Sequence, residues 1–351
     1  MLGAIGIIGP EASENDRVSS DTRSTRWAHR DQFRQGTPLA CLEVLGRSTV
    51  DRVVAGWRHI AIDAITLLAD GYFASVRGEI DQGVREVSPT WVEHAWGCVP
   101  EILKNYRERG IDTAVVVRVA EYIEMDLLVA LQFHKEQQHS VTRVFDDIGP
   151  LDTWIVDTSL DQAGERIRKA LFLEASRHAV AGYVNRLADP RDLRRLAVDG
   201  LNAHCQLRPN GLEIRPGVWM SEGAQVDRRA RIVGPAFIGH KSRIEEQCLI
   251  TRCSNIESNC QIDYGTVVED STVLSNTYVG IGLDVSRSIV NSTSLLNLER
   301  DVVVEVNDPG IIRQNRIPHE EPPRQSPYGT AWGRALLAKD VNIPLDESEE
   351  F

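Results

Sequence analysis

No stretch of this 351-residue sequence is apolar for long enough to cross a bilayer as a helix, which takes about twenty residues. No C-x-x-C pair occurs among the six cysteines (Cys41, Cys98, Cys205, Cys248, Cys253 and Cys260), so a zinc site is unsupported. Positive charge is in deficit: 39 Lys and Arg stand against 51 Asp and Glu, a formal net charge of -12. That balance argues against a nucleic-acid partner and against an anionic membrane surface. The opening MLGAIGIIGP lacks a basic n-region and a small-residue cleavage site, and reads as a buried first strand rather than a signal peptide. With no secretion signal, reduced thiols and a cytoplasmic location are the expectation.

What is present is a repeat. Ile214, Met220, Val226, Ile232, Ile238, Ile244, Ile250, Ile256, Ile262, Val268 and Leu274 fall six apart, and all eleven are aliphatic. A helix repeats near 3.6 and a strand near 2, so a strict six fits neither as one long element. A second column lies four residues after the first: Val218, Ala224, Ala230, Ala236, Ser242, Cys248, Ser254, Cys260, Thr266 and Thr272, nearly all small. One large aliphatic and one small residue per hexad is the pattern of a left-handed parallel β-helix. The large side chain fills the interior and the small one sits near a corner. Cys248 and Cys260 are thereby read as packing residues, and Cys253, in neither column, as exposed. The register breaks after Leu274, where Val273, Val279 and Val285 fit a frame shifted by one, and DVVVEV is expected to end the coils. Residues 309–351, rich in Pro and charge with an acidic end, read as a tail with a short helix around Trp332–Lys339.

The first two hundred residues alternate. AIGII, AITLLAD, TAVVVRVA and VTRVF read as strands. STVDRVVAGWRHI, CVPEILKNYRERG (closed by Gly110) and MDLLVALQFHKEQQ read as helices, and PLACLEVLG as a strand leading into the first of them. Alternation of this kind predicts an α/β domain with a mainly parallel, Rossmann-like sheet and a ligand site at the carboxyl ends of its strands. The expected division is 1–200 for this domain, 201–308 for the β-helix and 309–351 for the tail.

An α/β domain followed by a left-handed β-helix resembles the sugar-phosphate nucleotidyltransferases, the nucleotide-sugar pyrophosphorylases. Four stretches carry the likeness: TPLACLEVLGRSTVDRVV, VVVRVAEYIEMDLLVALQFHKEQQHSVTRV, GYVNRLADPRDLRRLAVDGL and the hexads, in the family's order. Departures are equally plain. Where the family has a Gly-rich phosphate loop after its first strand, this chain has Gly9 and then the acidic, glycine-free PEASENDRVSSD. The family's phosphate-binding lysine falls at Thr37. Its first metal-binding aspartate falls at Ala120, one residue from Glu121, and its second at Arg186, where a guanidinium would exclude magnesium. The stretch between Val144 and Gly182 is also short.

Because phosphoryl-type transfer depends on positioning and neutralising phosphate charge, these changes together predict loss of nucleotidyl transfer. The resemblance then implies a catalytically impaired relative that binds a nucleotide sugar or a partner enzyme, regulating or scaffolding polysaccharide synthesis, with no cofactor and with self-association. Candidate ligand-binding residues are Gly9, Glu121 and Arg186. The alternative for Glu121 is an exposed strand-end residue, and for Arg186 a structural salt bridge. His134 is expected to be a helix-surface or packing residue rather than a base, and the runs RERG and DRRARI to be solvated faces. Two enzyme readings stay open: a residual nucleotidyltransferase using magnesium, or an acyltransferase with His240 as base, as in other β-helix enzymes. His204 is a weaker candidate, and a surface histidine is the bland reading of both.

Overall fold

The alternating apolar segments build a seven-stranded sheet whose two faces are covered by helices. The structure, a computed structural model, describes residues 1–9, 37–160 and 175–315. In chain order the first part comprises β1 (Leu2–Ile8), β2 (Glu43–Val44), β3 (Arg47–Ser48), α1 (Thr49–His59), β4 (Ala64–Asp70), α2 (Arg77–Gly83), β5 (Thr90–Val92) and α3 (Ala95–Glu108). It continues with β6 (Thr113–Arg118), β7 (Tyr122–Ile123), α4 (Leu127–Gln137), β8 (Val141–Phe145), β9 (Pro150–Asp157), β10 (Ser176–Ala179), β11 (Val184–Asn185) and α5 (Pro190–Leu201). The sheet order is β10-β8-β9-β6-β1-β4-β5. Neighbours run parallel except at β9, which is antiparallel to both β6 and β8.

Period-two alternation along β6 divides the core. Val115 and Val117 face the side covered by α1, α4 and α5, while Ala114 and Val116 face α3. Helical spacing places Val50, Val54 and Trp57 of α1, and Val99, Leu103 and Tyr106 of α3, against these faces. Side-chain caps fix the helix starts: Ser48 accepts from the Asp51 N–H, Asp126 from Leu128 and Val129, and Asp189 from Arg191 and Asp192 with Pro190 as first residue. PLACLEVLG is not a strand running into α1. It folds as a short 3-10 turn, Leu39–Cys41, and a tight hairpin, β2–β3, whose two-residue turn Leu45–Gly46 has positive φ at both positions.

From Val218 the hexads form short parallel strands in three ladders. Ala236 pairs with Ser254, Arg243 with Gln261 and Leu249 with Val267, each eighteen residues on, so three sides of six make one coil. The arrangement is compatible with a β-helix. Ile232, Ile238, Ile244, Ile250, Ile256, Ile262 and Val268 form its continuous core. Corners recur at a third column that composition does not flag: Lys241, Gln247, Cys253 and Asn259 have positive φ, as do Gly217, Gly223 and Gly265. Only the glycines and Asn259 suit that conformation intrinsically.

The small column does more than leave room. Ser254 Oγ donates to the Val268 carbonyl, Cys260 Sγ to Leu274 and Thr266 Oγ1 to Gly280, each fourteen residues on. Ser242, Ser254, Thr266 and Ser271 also accept from backbone N–H groups of the next coil. Polar groups that strand pairing leaves unmet at the corners are thus satisfied from within. Cys248 and Cys260 are buried, as the column implies, whereas Cys253 is half-buried at a corner rather than exposed.

Three readings at the ends of the repeat change. Ile214 is exposed on Leu212–Arg215, a strand antiparallel to Val218–Met220, so the first hexad lies outside the coils. At the other end Val273, not Leu274, enters the interior, and Leu274 packs in the core shared with the α/β part. Asn255 pairs with Thr272 only seventeen residues on, one side being a residue short. DVVVEV becomes an antiparallel strand, Val302–Glu305, beside Ser294–Asn297. Residues 312–314 of the expected tail pair antiparallel with Thr277–Val279. The helix expected around Trp332–Lys339, and the segment PEASENDRVSSD, lie outside the described residues.

One face of the coils is given over to the α/β part. Its outward column, Phe237, Asn255, Thr272 and Ile289, is fully or almost fully buried. Asn255 Oδ1 accepts from Arg194 of α5 and from Thr272 Oγ1, and its amide donates to Glu257. Glu257, wholly buried, accepts the N–H groups of both turn residues, Leu45 at 2.9 Å and Gly46 at 2.8 Å. Glu43 accepts from Ser258 and Ser275 in the adjacent coils. Met1–Asn315 accordingly forms one compact unit.

Two substitutions test this account. Ile256→Ala should cost about 2–5 kcal/mol, the usual range for emptying a packed aliphatic site. Glu257→Ala should cost about 2–6 kcal/mol, because it strands two buried N–H groups at roughly 1–3 kcal/mol each. Urea unfolding midpoints with unchanged slopes would measure both; losses below 1 kcal/mol would contradict it.

Candidate functional site

β6 ends at Arg118, and the chain turns so that Glu121 follows at the carboxyl edge of the sheet. The small β7–β11 pair, Tyr122 with Asn185 and Ile123 with Val184, delivers Arg186 to the same place. The two residues singled out in separate sequence stretches are thereby neighbours: Arg186 Nη1 lies 3.7 Å from Glu121 Oε1. Arg186 also pairs with Asp146 and donates to the Gly149 and Pro150 carbonyls at 3.3 Å. Asp152 binds Arg118 and lies 3.6 Å from Arg143, and its N–H donates to Glu121 at 3.0 Å. Three guanidiniums and three carboxylates are interleaved.

Glu121 is therefore not an exposed strand-end residue; its side chain is 9% accessible. Burial pushes its carboxyl up to about 7, with Asp152 adding to the rise, while the Asp152 N–H, Arg186 and Arg118 oppose it. Burial would also raise Asp146, but hydrogen bonds from Arg186 and from the Gly149 and Ile148 N–H groups hold it below its ordinary value.

These residues do not fit a magnesium ion. Ala120 offers no side-chain oxygen, and Arg186 places a cation between Glu121 and Asp146. Among the described residues no group of three or more His, Cys, Asp or Glu could hold a metal. Thr37 is buried with its hydroxyl on Glu79.

Gly9 directly follows β1 at the same carboxyl edge of the sheet, where Ile7 of β1 pairs with Arg118 of β6. A side chain there would meet Asp70, its Cβ 3.3 Å from the Asp70 Cβ, and Asp70 is engaged with the N–H groups of Tyr72 and Ala95. His240 sits half-buried at a coil corner, and its ring has no hydrogen-bond or ion-pair partner among the described residues. His204 is exposed, 3.5 Å from Asp199. Of the two places expected for His134, the structure shows packing rather than the helix surface: it is buried between Thr142 and Asp157. Sequence reading missed Arg118, Arg143, Asp146 and Asp152. Charges at the ends of apolar strands (VVVR and VTRVFDD) were the available signal.

Next to the ion cluster lies a cavity of about 570 Å³, which Glu121 borders together with α1 and the loop into α4. No helix among the described residues is long and apolar enough to cross a membrane. Compared with protein-family models and with curated proteins, the sequence matches none.

The raised carboxyl of Glu121 has a signed consequence. A folded value of about 7 against an ordinary 4.5 means that the native state holds the extra proton between those pH values. Its contribution to stability is thus full below about 4.5 and is lost as pH rises through 7. Glu257 is raised to about 7 by burial and by Glu43, and acts in the same direction. Unfolding free energy measured from pH 4.5 to 8 should fall with rising pH, and less steeply in Glu121→Gln. Identical slopes in the two proteins would refute the assignment.

Proposed function

We propose that this chain is a catalytically impaired relative of the sugar-phosphate nucleotidyltransferases, its α/β part joined to a left-handed β-helix. In this reading it binds a nucleotide sugar or a partner enzyme, and acts as a regulator or scaffold in polysaccharide synthesis. The observation that carries the proposal is the position of Arg186. Its guanidinium lies among Glu121 and Asp146 at the carboxyl edge of the sheet, where the resemblance would place metal-binding carboxylates. A cation built into that position neutralises the carboxylates that a metal would need. It leaves a site able to meet an anionic ligand by hydrogen bonding but lacking the metal-assisted neutralisation that nucleotidyl transfer requires.

A thermal-melt panel tests this reading. A nucleotide sugar at a hundred times its dissociation constant adds about 2.7 kcal/mol, a shift of a few degrees in a chain of this size. The expected result is a shift with a nucleotide sugar that needs no magnesium, and none with a nucleoside triphosphate plus magnesium. A magnesium-dependent shift with triphosphate would favour an active nucleotidyltransferase. A shift with acetyl-CoA, lost in His240→Ala, would favour an acyltransferase. Either outcome overturns the proposal.

A further inference from the structure

The cavity beside α1 has the size of a small-molecule site, about 300–1,000 Å³ being usual, and its walls are mainly apolar. Val53 and Trp57 of α1 and Ile60 just after it form one side, Val115 and Val117 of β6 the floor, and Leu127 part of the opposite side. It follows from the topology: α1 and α4 cover neighbouring parts of one sheet face.

The charged groups around it are not equivalent. Arg47 is paired with Glu86, and Glu121 with Arg186. Glu124 accepts from the Tyr122 hydroxyl and from the Gln206 N–H. Asp126 accepts the first N–H groups of α4, and His59 ends α1 at its exposed side. Arg52 differs. Its hydrogen bonds go to neutral groups, the Val44 carbonyl at 2.8 Å, Arg208 at 3.3 Å and Leu45 at 3.4 Å, while Glu257, which acts on it electrostatically, makes its own bonds to Leu45, Gly46 and Asn255. Its Nε is shielded from solvent and has no hydrogen-bond partner among the described residues. A cation taken partly out of water is ordinarily matched by an anion, and an unmade hydrogen bond from a charged donor is costly.

We propose that this cavity binds an amphipathic organic monoanion, whose apolar body lies against Trp57, Val115 and Val117 and whose carboxylate pairs with Arg52. A carboxylate there would add a charge-assisted contact to the Arg52 guanidinium, roughly twice as strong as a neutral one. The inference does not depend on what occupies the carboxyl edge of the sheet.

The test uses the full chain, with decanoate below its micelle concentration and 1-decanol as the uncharged probe of equal length. Calorimetric titration should show one decanoate per chain and an affinity for decanol at least tenfold weaker. Arg52→Gln should reduce decanoate affinity to the level of decanol, while Arg52→Lys retains most of the preference. Val117→Phe, which fills the cavity floor, should abolish binding of both probes. Equal affinity of the native chain for both probes would overturn the proposal. So would no decanoate binding, or decanoate affinity unchanged in Val117→Phe. Should Arg52→Gln fail to fold through loss of its bonds to the β2–β3 hairpin, Arg52→Lys and Val117→Phe still decide the question.

Discussion

The carboxylate of Glu257 holds the two halves of this protein in one frame. It stands on the coils, wholly buried, and takes both N–H groups of the β2–β3 turn. That turn needs positive φ at Leu45, a conformation that a leucine adopts only when its surroundings insist. The hairpin leads directly into α1, capped by Ser48, so the clasp also sets where α1 lies on the sheet. Asn255 and Arg194 extend the same polar network to α5, and Phe237 and Ile289 supply the apolar contact around it. A polar network buried between two apolar cores is costly where it is unbonded, as at the Arg194 Nε and Ser258 Oγ among the described residues, so the bonds it does make favour one docking of the two parts over others.

At the carboxyl edge of the sheet, electrostatics decides what the site can do. Glu121, Asp146 and Asp152 would repel one another if they stood alone. Arg118, Arg143 and Arg186 interleave with them, so the cluster is close to neutral without a metal. Such a cluster resists multivalent cations, and the Arg186 Nε within it has no hydrogen-bond partner among the described residues. The proposed binding role and the proposed loss of transfer chemistry rest on this one substitution of a guanidinium for a metal.

Much of this was legible in the sequence, unevenly. The interior of the coils was readable because a six-residue period has few physical solutions, and Ile232 to Val268 lie where the period puts them. Ile214 and Leu274 departed from it at the ends, where the next coil that would bury them is missing or a residue short. The corner column was hidden because Lys241, Gln247 and Cys253 adopt positive φ without being residues that favour it. Glu121 and Arg186 were named as candidates, but their burial and pairing were not visible, because the β7–β11 pair that joins them is only two residues per strand.

The sequence by itself determined the local periods: which residues face inward, where helices begin, and that charge of one sign dominates the surface. Those are properties of near neighbours, fixed by backbone geometry and solvation. Only the tertiary structure decided which charges meet. The pairing of Arg186 with Glu121, the contact of Arg52 with the Arg208 carbonyl and the clasp of Glu257 on Leu45 and Gly46 join residues far apart in the chain. Their energies depend on distance and on exclusion of water, and neither exists until the sheet and the coils have packed together.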